Sequence, residues 1–185
     1  GLRRNLPLVV AEGYMDVIAI HRSGAAAAVA PLGTALTPEQ IALLWKLHDE
    51  PVLCFDGDAA GQRAQTRALE RILPLLEPGR SARLAVLPKG KDPDDLIAAS
   101  GPEGFRKVIG TAQSLVDSLW ERIQAEFDIR QPEARAQFWQ VVRGHVRSIG
   151  NNQVRSAYGD EIESRIAAMR NQTRGISSMV RPRGA

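Results

Sequence analysis

The sequence has a single cysteine, Cys54, and only three histidines, His21, His48 and His145, spread over 185 residues. One thiol forms no internal disulfide, which fits a reducing compartment, and one Cys with scattered His matches no zinc-site spacing. Any metal in this chain is therefore expected to be a hard ion held by oxygen, not zinc. No apolar run approaches the ~20 residues of a membrane span, and the N-terminus has no signal-peptide layout. The expectation is a cytoplasmic protein with no membrane partner. Aromatic residues are 5% of the chain, which favours tracking a nucleic-acid backbone over stacking on its bases. Neither a Walker A lysine motif nor a Rossmann glycine fingerprint is present, which weakens ATP-motor and dinucleotide readings.

The net charge of +3 leans only mildly toward nucleic acid and equally suits an ordinary surface. Lysine is scarce beside arginine, yet Lys89 and Lys91 share one short loop with Asp92 and Asp94. A chain of this length buries ~70% of its unfolded surface and needs no staples. Opening on Gly1 rather than Met, it is expected to be a piece of something longer.

The most informative stretch is Val52-Leu53-Cys54-Phe55 running into Asp56-Gly57-Asp58. Its apolar strand formers end at two carboxylates, and the composition then turns helical. In an open α/β sheet, ligands sit beyond the carboxyl ends of the strands, so Asp56 and Asp58 reach the active-site edge. Two carboxylates about 4 Å apart repel by about 4 kcal/mol at an effective dielectric of roughly 20, so such a pair needs a cation or a proton.

Two more strands deliver acids to the same edge. Leu6 to Ala11 closes on Glu12-Gly13 and leads into a helix over Tyr14 to Gly24; Asp16, in its first turn, fits capping or support as well as metal contact. Ser81 to Leu87 runs into Pro88-Lys89-Gly90-Lys91-Asp92-Pro93-Asp94, where Asp92 also fits the N-cap of a helix over 94–99. Between them, Ala25 to Pro31 reads as a strand, and Thr37-Pro38-Glu39-Gln40 opens a helix ending near His48. A helix over Gly61 to Leu76 buries Ala68, Leu69, Ile72 and Leu73 and carries Arg63, Arg67 and Arg71 on another face, either a solvated stripe or a phosphate track. Past Gly101-Pro102 strand signals stop. Helical periodicity then runs through Phe105–Ile109, Leu115–Phe127, Phe138–Ile149 and Val154–Met169, and Thr173 to Ala185 reads as a frayed tail. The expected organisation is an α/β domain over 1–100, a helical subdomain over 101–172 and a flexible tail or linker over 173–185.

Oxygen donors without His or Cys specify Mg²⁺ or Mn²⁺, and such sites serve phosphoryl chemistry. The co-linear motifs Val10-Ala11-Glu12-Gly13-Tyr14-Met15-Asp16, Leu32-Gly33-Thr34, Phe55-Asp56-Gly57-Asp58-Ala59-Ala60-Gly61 and Asp92-Pro93-Asp94 closely resemble the toprim core of bacterial DNA primases of the DnaG type. That resemblance covers roughly residues 6 to 105. It implies a toprim-type, Rossmann-like, mainly parallel sheet flanked by helices. It also implies template-directed synthesis of RNA primers on single-stranded DNA from ribonucleoside triphosphates. By similarity, Glu12, Asp56 and Asp58 are catalytic and bind metal, Asp92 and Asp94 add metal ligands, Asp16 supports them, and Lys91 lies near nucleotide phosphate. Apart from the resemblance, Lys89, Lys91 and the stripe of Arg63, Arg67 and Arg71 are expected to hold phosphates or template backbone, and one to three ions are expected. The family's preceding zinc-binding and basic domains and its helicase-binding domain have no counterpart here, so contact with a replicative helicase would run through absent regions.

Three other readings compete. Topoisomerases and small nucleases share Glu and Asp-x-Asp, but the Gly-Tyr-Met-Asp and Asp-Pro-Asp surroundings count against them. A phospho-accepting receiver gathers carboxylates around Mg²⁺, but Glu12 stands without an adjacent acid. A non-catalytic docking module has no need of the filled acidic positions.

Overall fold

The computed structural model describes residues 6–31 and 35–179, with side chains to Asn171. Five short strands form one sheet in the order β2-β1-β3-β4-β5: β1 (Leu8–Val10), β2 (Ala27–Val29), β3 (Val52–Cys54), β4 (Arg83–Ala85) and β5 (Gln113–Ser114). The first four are parallel, and β5 pairs antiparallel with β4 through Leu84 and Gln113. The mainly parallel sheet expected from the sequence is present. The short β5 was not foreseen, because Gln113-Ser114 carries no apolar alternation and its pairing with β4 is purely tertiary.

Alternation along the strands splits the core into two layers, as a period of two requires. Leu8, Val10, Leu53 and Leu84 face one layer, while Val9, Cys54 and Ala85 face the other. The second layer is closed by α1 (Tyr14–Ser23) through Ile20 and by α4 (Pro93–Gly110) through Leu96, Phe105 and Ile109. Gly101, at φ 68° and ψ −178°, leaves the helical region in a conformation only glycine adopts without strain, so α4 is two helical segments meeting at a kink, as expected around Gly101-Pro102.

The first layer is closed by α2 (Pro38–Leu47) and α3 (Ala59–Ile72). The same buried cluster continues without a break into α5 (Leu115–Ala125), α6 (Pro132–Ser148) and α7 (Asn152–Met179) through Leu119, Phe138, Val142, Ile162 and Ile166. Trp120 packs edge-on against Phe138 at 4.9 Å between ring centres. Trp45, expected to be packing, is buried and donates its indole N–H to the Ser81 carbonyl at 2.7 Å, tying α2 to the chain entering β4. Helix α7 runs on to Met179, and among the described residues no helix is long and apolar enough to cross a membrane.

The start of α2 is a reciprocal capping box: Thr37 Oγ1 accepts from Gln40 N at 3.3 Å and Gln40 Oε1 accepts from Thr37 N at 2.9 Å. Thr37→Ala is expected to lower stability by about 1 kcal/mol, measured by urea unfolding, with no change at the acidic edge.

Candidate active site

Each parallel strand except β2 ends in an acidic turn. Glu12 follows β1, and its Oε1 accepts a hydrogen bond from Asp56 N at 3.2 Å, joining the first turn to the second across the sheet. Asp56 follows β3. Its Oδ1 is buried with no hydrogen-bond partner, and its carboxyl is pushed up to about 6, first by burial and then by the charges of Glu12, Asp16, Asp92 and Asp58.

Asp16 is nearly buried and accepts from Gly13 N at 3.2 Å, capping α1. Burial, and after it repulsion from Asp92, Glu12 and Asp94, raises its carboxyl above the ordinary range despite that hydrogen bond. These mutual effects place six carboxylates, from Glu12, Asp16, Asp56, Asp58, Asp92 and Asp94, within electrostatic reach of one another. Asp16 combines the two roles considered for it, cap and member of the cluster.

Asp58 and Asp92 are helix caps in this geometry. Asp58 Oδ1 accepts from Ala60 N and Gly61 N, both at 2.8 Å, and Asp92 Oδ1 accepts from Asp95 N at 2.7 Å. Each keeps its second oxygen for other use. Asp94 is exposed in the first turn of α4, and Lys91 reaches Asp95 at 3.9 Å rather than an acid of the cluster. Lys89 is exposed and makes no ion pair among the described residues.

Two glycines set the approach of these turns. Gly57 N donates to the Lys91 carbonyl at 2.9 Å and Gly90 N donates to the Gly57 carbonyl at 3.2 Å, lacing the second acidic turn to the third. A Cβ on Gly57 would stand 2.1 Å from the Pro88 carbonyl oxygen, and one on Gly61 would stand 2.1 Å from that of Asp56. Close backbone approach leaves no one-dimensional signal beyond glycine itself.

The three stripe arginines diverge. Arg71 donates to the Leu36 carbonyl at 2.6 Å and holds the chain leading into α2. Arg63 and Arg67 are exposed and make no ion pair among the described residues, and Arg67 lines a cavity of about 260 Å³ together with Glu12, Phe55 and Leu36. The Leu32-Gly33-Thr34 motif lies outside the described residues.

Among the described residues no three of these acids form a ready-made ion cage. The donor set nevertheless suits a hard divalent ion. Asp56 offers a buried oxygen that nothing among the described residues satisfies, amid the negative charge of Glu12, Asp16, Asp92 and Asp58. Mg²⁺ is commonly held by one or two carboxylates together with substrate phosphates and water, not by an all-protein cage.

Residues 9–97 match the family described as Toprim-like. The chain is 40% identical over 149 residues to the DNA primase of Pseudomonas aeruginosa, covering 80% of this chain and 22% of that protein. It is 44% identical over 128 residues to the DNA primase of Haemophilus influenzae, covering 69% of this chain and 22% of that protein. The fold matches the crystal structure of a DNA primase domain from Pseudomonas aeruginosa with a TM-score of 0.80 at 37% identity, covering 88% of this chain and 51% of that one. This chain carries a toprim domain and is homologous to bacterial DNA primases over most of its length. A DnaG catalytic domain solved bound to single-stranded DNA matches with a TM-score of 0.77 at 34% identity, over 86% of this chain and 53% of that one. The chain thus spans about a fifth of the primases named here and about half of the solved catalytic domains. Primases of the toprim type are generally metal-dependent. The match to primases decides against the topoisomerase, nuclease and receiver readings.

Proposed function

We propose that this chain is the metal-binding part of a primase active site, acting in template-directed synthesis of short RNA primers on single-stranded DNA. The observation that carries this reading is the buried, unpartnered oxygen of Asp56 at the centre of an acidic cluster on the carboxyl edge of the sheet. Glu12 and Asp56 would hold Mg²⁺ or Mn²⁺ with the free oxygens of Asp58 and Asp92, Asp94 standing beside them. A bound divalent ion supplies charge neutralisation at the reacting phosphates.

The chain's own residues perform the positioning. Glu12, through its hydrogen bond to Asp56 N, keeps the first two acidic turns in register. The Gly57–Lys91 backbone bond brings the lysine loop to the same edge, so Lys89 and Lys91 face triphosphate without closing on the acids. Arg63 and Arg67, free of carboxylate partners, are available to phosphate, whereas Arg71 is committed to Leu36. Positioning and charge stabilisation of this kind are the main contributions a protein makes to phosphoryl and nucleotidyl transfer.

Ribonucleoside triphosphates, the template strand and the primer are the substrates and product of this reading, with the replicative helicase contacted through other parts of a whole primase in the cytoplasm. The acidic unit would occupy residues 1–100 and the helical subdomain 101–172, whose last helix runs on to Met179 rather than giving way to the tail expected from 173.

Calorimetric titration of a ribonucleoside triphosphate, with and without Mn²⁺, tests the site on wild type and Asp58→Asn. Asparagine caps a helix as well as aspartate does, so this variant removes charge while keeping α3 capped. Binding that needs Mn²⁺ and weakens by about tenfold or more in Asp58→Asn is expected. Binding indifferent to both would remove the acidic edge from nucleotide handling.

A further inference from the structure

A second cavity lies on the other flank of α3, between that helix, the end of β4 and α5. We propose that it is a subsite for one nucleobase of the single-stranded nucleic acid held at the acidic edge, a proposal that rests on the primase reading above. Its volume of about 410 Å³ falls within the ~300–1,000 Å³ of small-ligand sites. Gln62, on its rim, lies one helical turn beyond Asp58. At ~1.5 Å per residue that is about 6 Å along α3. With ~3.4 Å of rise per nucleotide, this is the step of one or two nucleotides from the reacting phosphate.

The lining chooses a base over a phosphate. Gln62 contributes a carboxamide able to donate and accept, so it matches the edge of any base without demanding one, while the carboxamides of Gln65 and Gln113 are held by Ala85, Arg122, Glu121 and Ser118. That tolerance suits an enzyme that copies a template. Glu121 and Glu126 also line the cavity and would repel phosphate from it. Val86, 65% exposed, gives an aliphatic surface for the flat face of a base. The chain's few aromatic residues leave base contact to such groups.

The wall is firmly built. Arg122, on α5, donates to the Gln62 carbonyl at 3.2 Å, to Gln65 Oε1 at 3.5 Å and to Thr66 Oγ1, and it has no ion pair among the described residues. Gln65 in turn donates to the Ala85 carbonyl at 3.2 Å, just past the last residue of β4 paired with β5. Gln62 is exposed, and among the described residues its carboxamide makes no hydrogen bond.

The test measures binding of a fluorescein-labelled single-stranded oligonucleotide by anisotropy at fixed salt, and of Mn²⁺ by calorimetry. Wild type, Gln62→Ala and Val86→Glu are compared, each first checked by thermal melting; both positions are exposed, so both variants should fold. Wild type should lose about five- to tenfold in affinity when one nucleotide of the oligonucleotide is made abasic. Both variants should bind the intact oligonucleotide more weakly by a similar factor, be insensitive to the abasic change and keep wild-type Mn²⁺ affinity. Variants that bind like wild type overturn the proposal, leaving the cavity to another occupant. Wild type that binds Mn²⁺ but no oligonucleotide overturns it while sparing the metal site. Wild type that binds neither overturns this proposal and the primase reading together.

Discussion

Asp56→Asn is expected to abolish Mn²⁺-dependent nucleotide binding by this chain and, at the same time, to make the metal-free fold more stable. The two effects share one cause. Asp56 holds a buried, unpartnered oxygen among four other acids, and its carboxyl is pushed up to about 6 from an ordinary 3.8. Because the folded value lies above the unfolded one, the stability tied to its proton is fully present below about pH 4 and is lost as pH rises through about 6. The metal-free chain should therefore lose about 1 kcal/mol across that window, less than the whole shift would give because water reaches part of the site. Asparagine removes the charge, the pH dependence and the repulsion, so its melting temperature at pH 7 should rise by about 2–4 °C. Adding Mn²⁺ should stabilise wild type and leave the variant unchanged. In a whole primase bearing the same substitution, losing ~4 kcal/mol of charge stabilisation corresponds to about 1,000-fold in the rate of primer synthesis. Thermal scans from pH 4 to 8 check the first effect, and primer synthesis by the whole enzyme checks the second. A variant less stable than wild type without metal would mean that Asp56 is held by a partner after all.

Gly57→Ala is expected to be the most damaging single-methyl change at the acidic edge. The added carbon would sit 2.1 Å from the Pro88 carbonyl oxygen, so the second and third acidic turns must separate by more than 1 Å and break the Gly57–Lys91 and Gly90–Gly57 backbone bonds. Overpacking of this kind costs typically ~1–3 kcal/mol, and each lost backbone bond adds ~1 kcal/mol. A fall of about 3 kcal/mol in unfolding free energy is expected, with loss of Mn²⁺ binding even where the fold persists. Gly61→Ala should behave similarly, since its Cβ would meet the Asp56 carbonyl at the same 2.1 Å. Gly79→Ala is the control: nothing lies within 4 Å of its added carbon, and its φ of 81° costs only local backbone strain. Denaturant unfolding of the three variants, each with and without Mn²⁺, separates the effects. Equal losses at Gly57 and Gly79 would show that backbone freedom, and not crowding between turns, is what glycine supplies at 57.

Much of this was readable in one dimension. The apolar runs ending at Glu12, at Asp56 and ahead of Asp92 announce strands that deliver acids, because strand patterning and the turn after it depend on neighbours a few residues away. The capping box at Thr37 and the break between helical segments at Gly101-Pro102 were legible for the same reason. The arginine stripe was not. Its spacing puts Arg63, Arg67 and Arg71 on one face, yet Arg71 is drawn off by a carbonyl 35 positions away. Nor could spacing show that Asp58 and Asp92 each commit one oxygen to capping, since a cap and a metal ligand call for the same residue at the same place.

By itself, then, the sequence determined the order of strands and helices, the oxygen-only chemistry of the acids and their place at strand ends. These follow from local periodicity, turn chemistry and composition. Tertiary structure alone decided which acids meet, which arginines stay free, that β5 closes the sheet and that Gly57 and Gly61 admit no side chain. The reason is physical: parallel strands pair across long stretches of intervening chain, so the juxtaposition of Glu12, Asp56 and Asp92 exists only once β1, β3 and β4 lie side by side. The crowding, burial and mutual repulsion that give Asp56 its character arise from that packing and are absent from any segment taken alone.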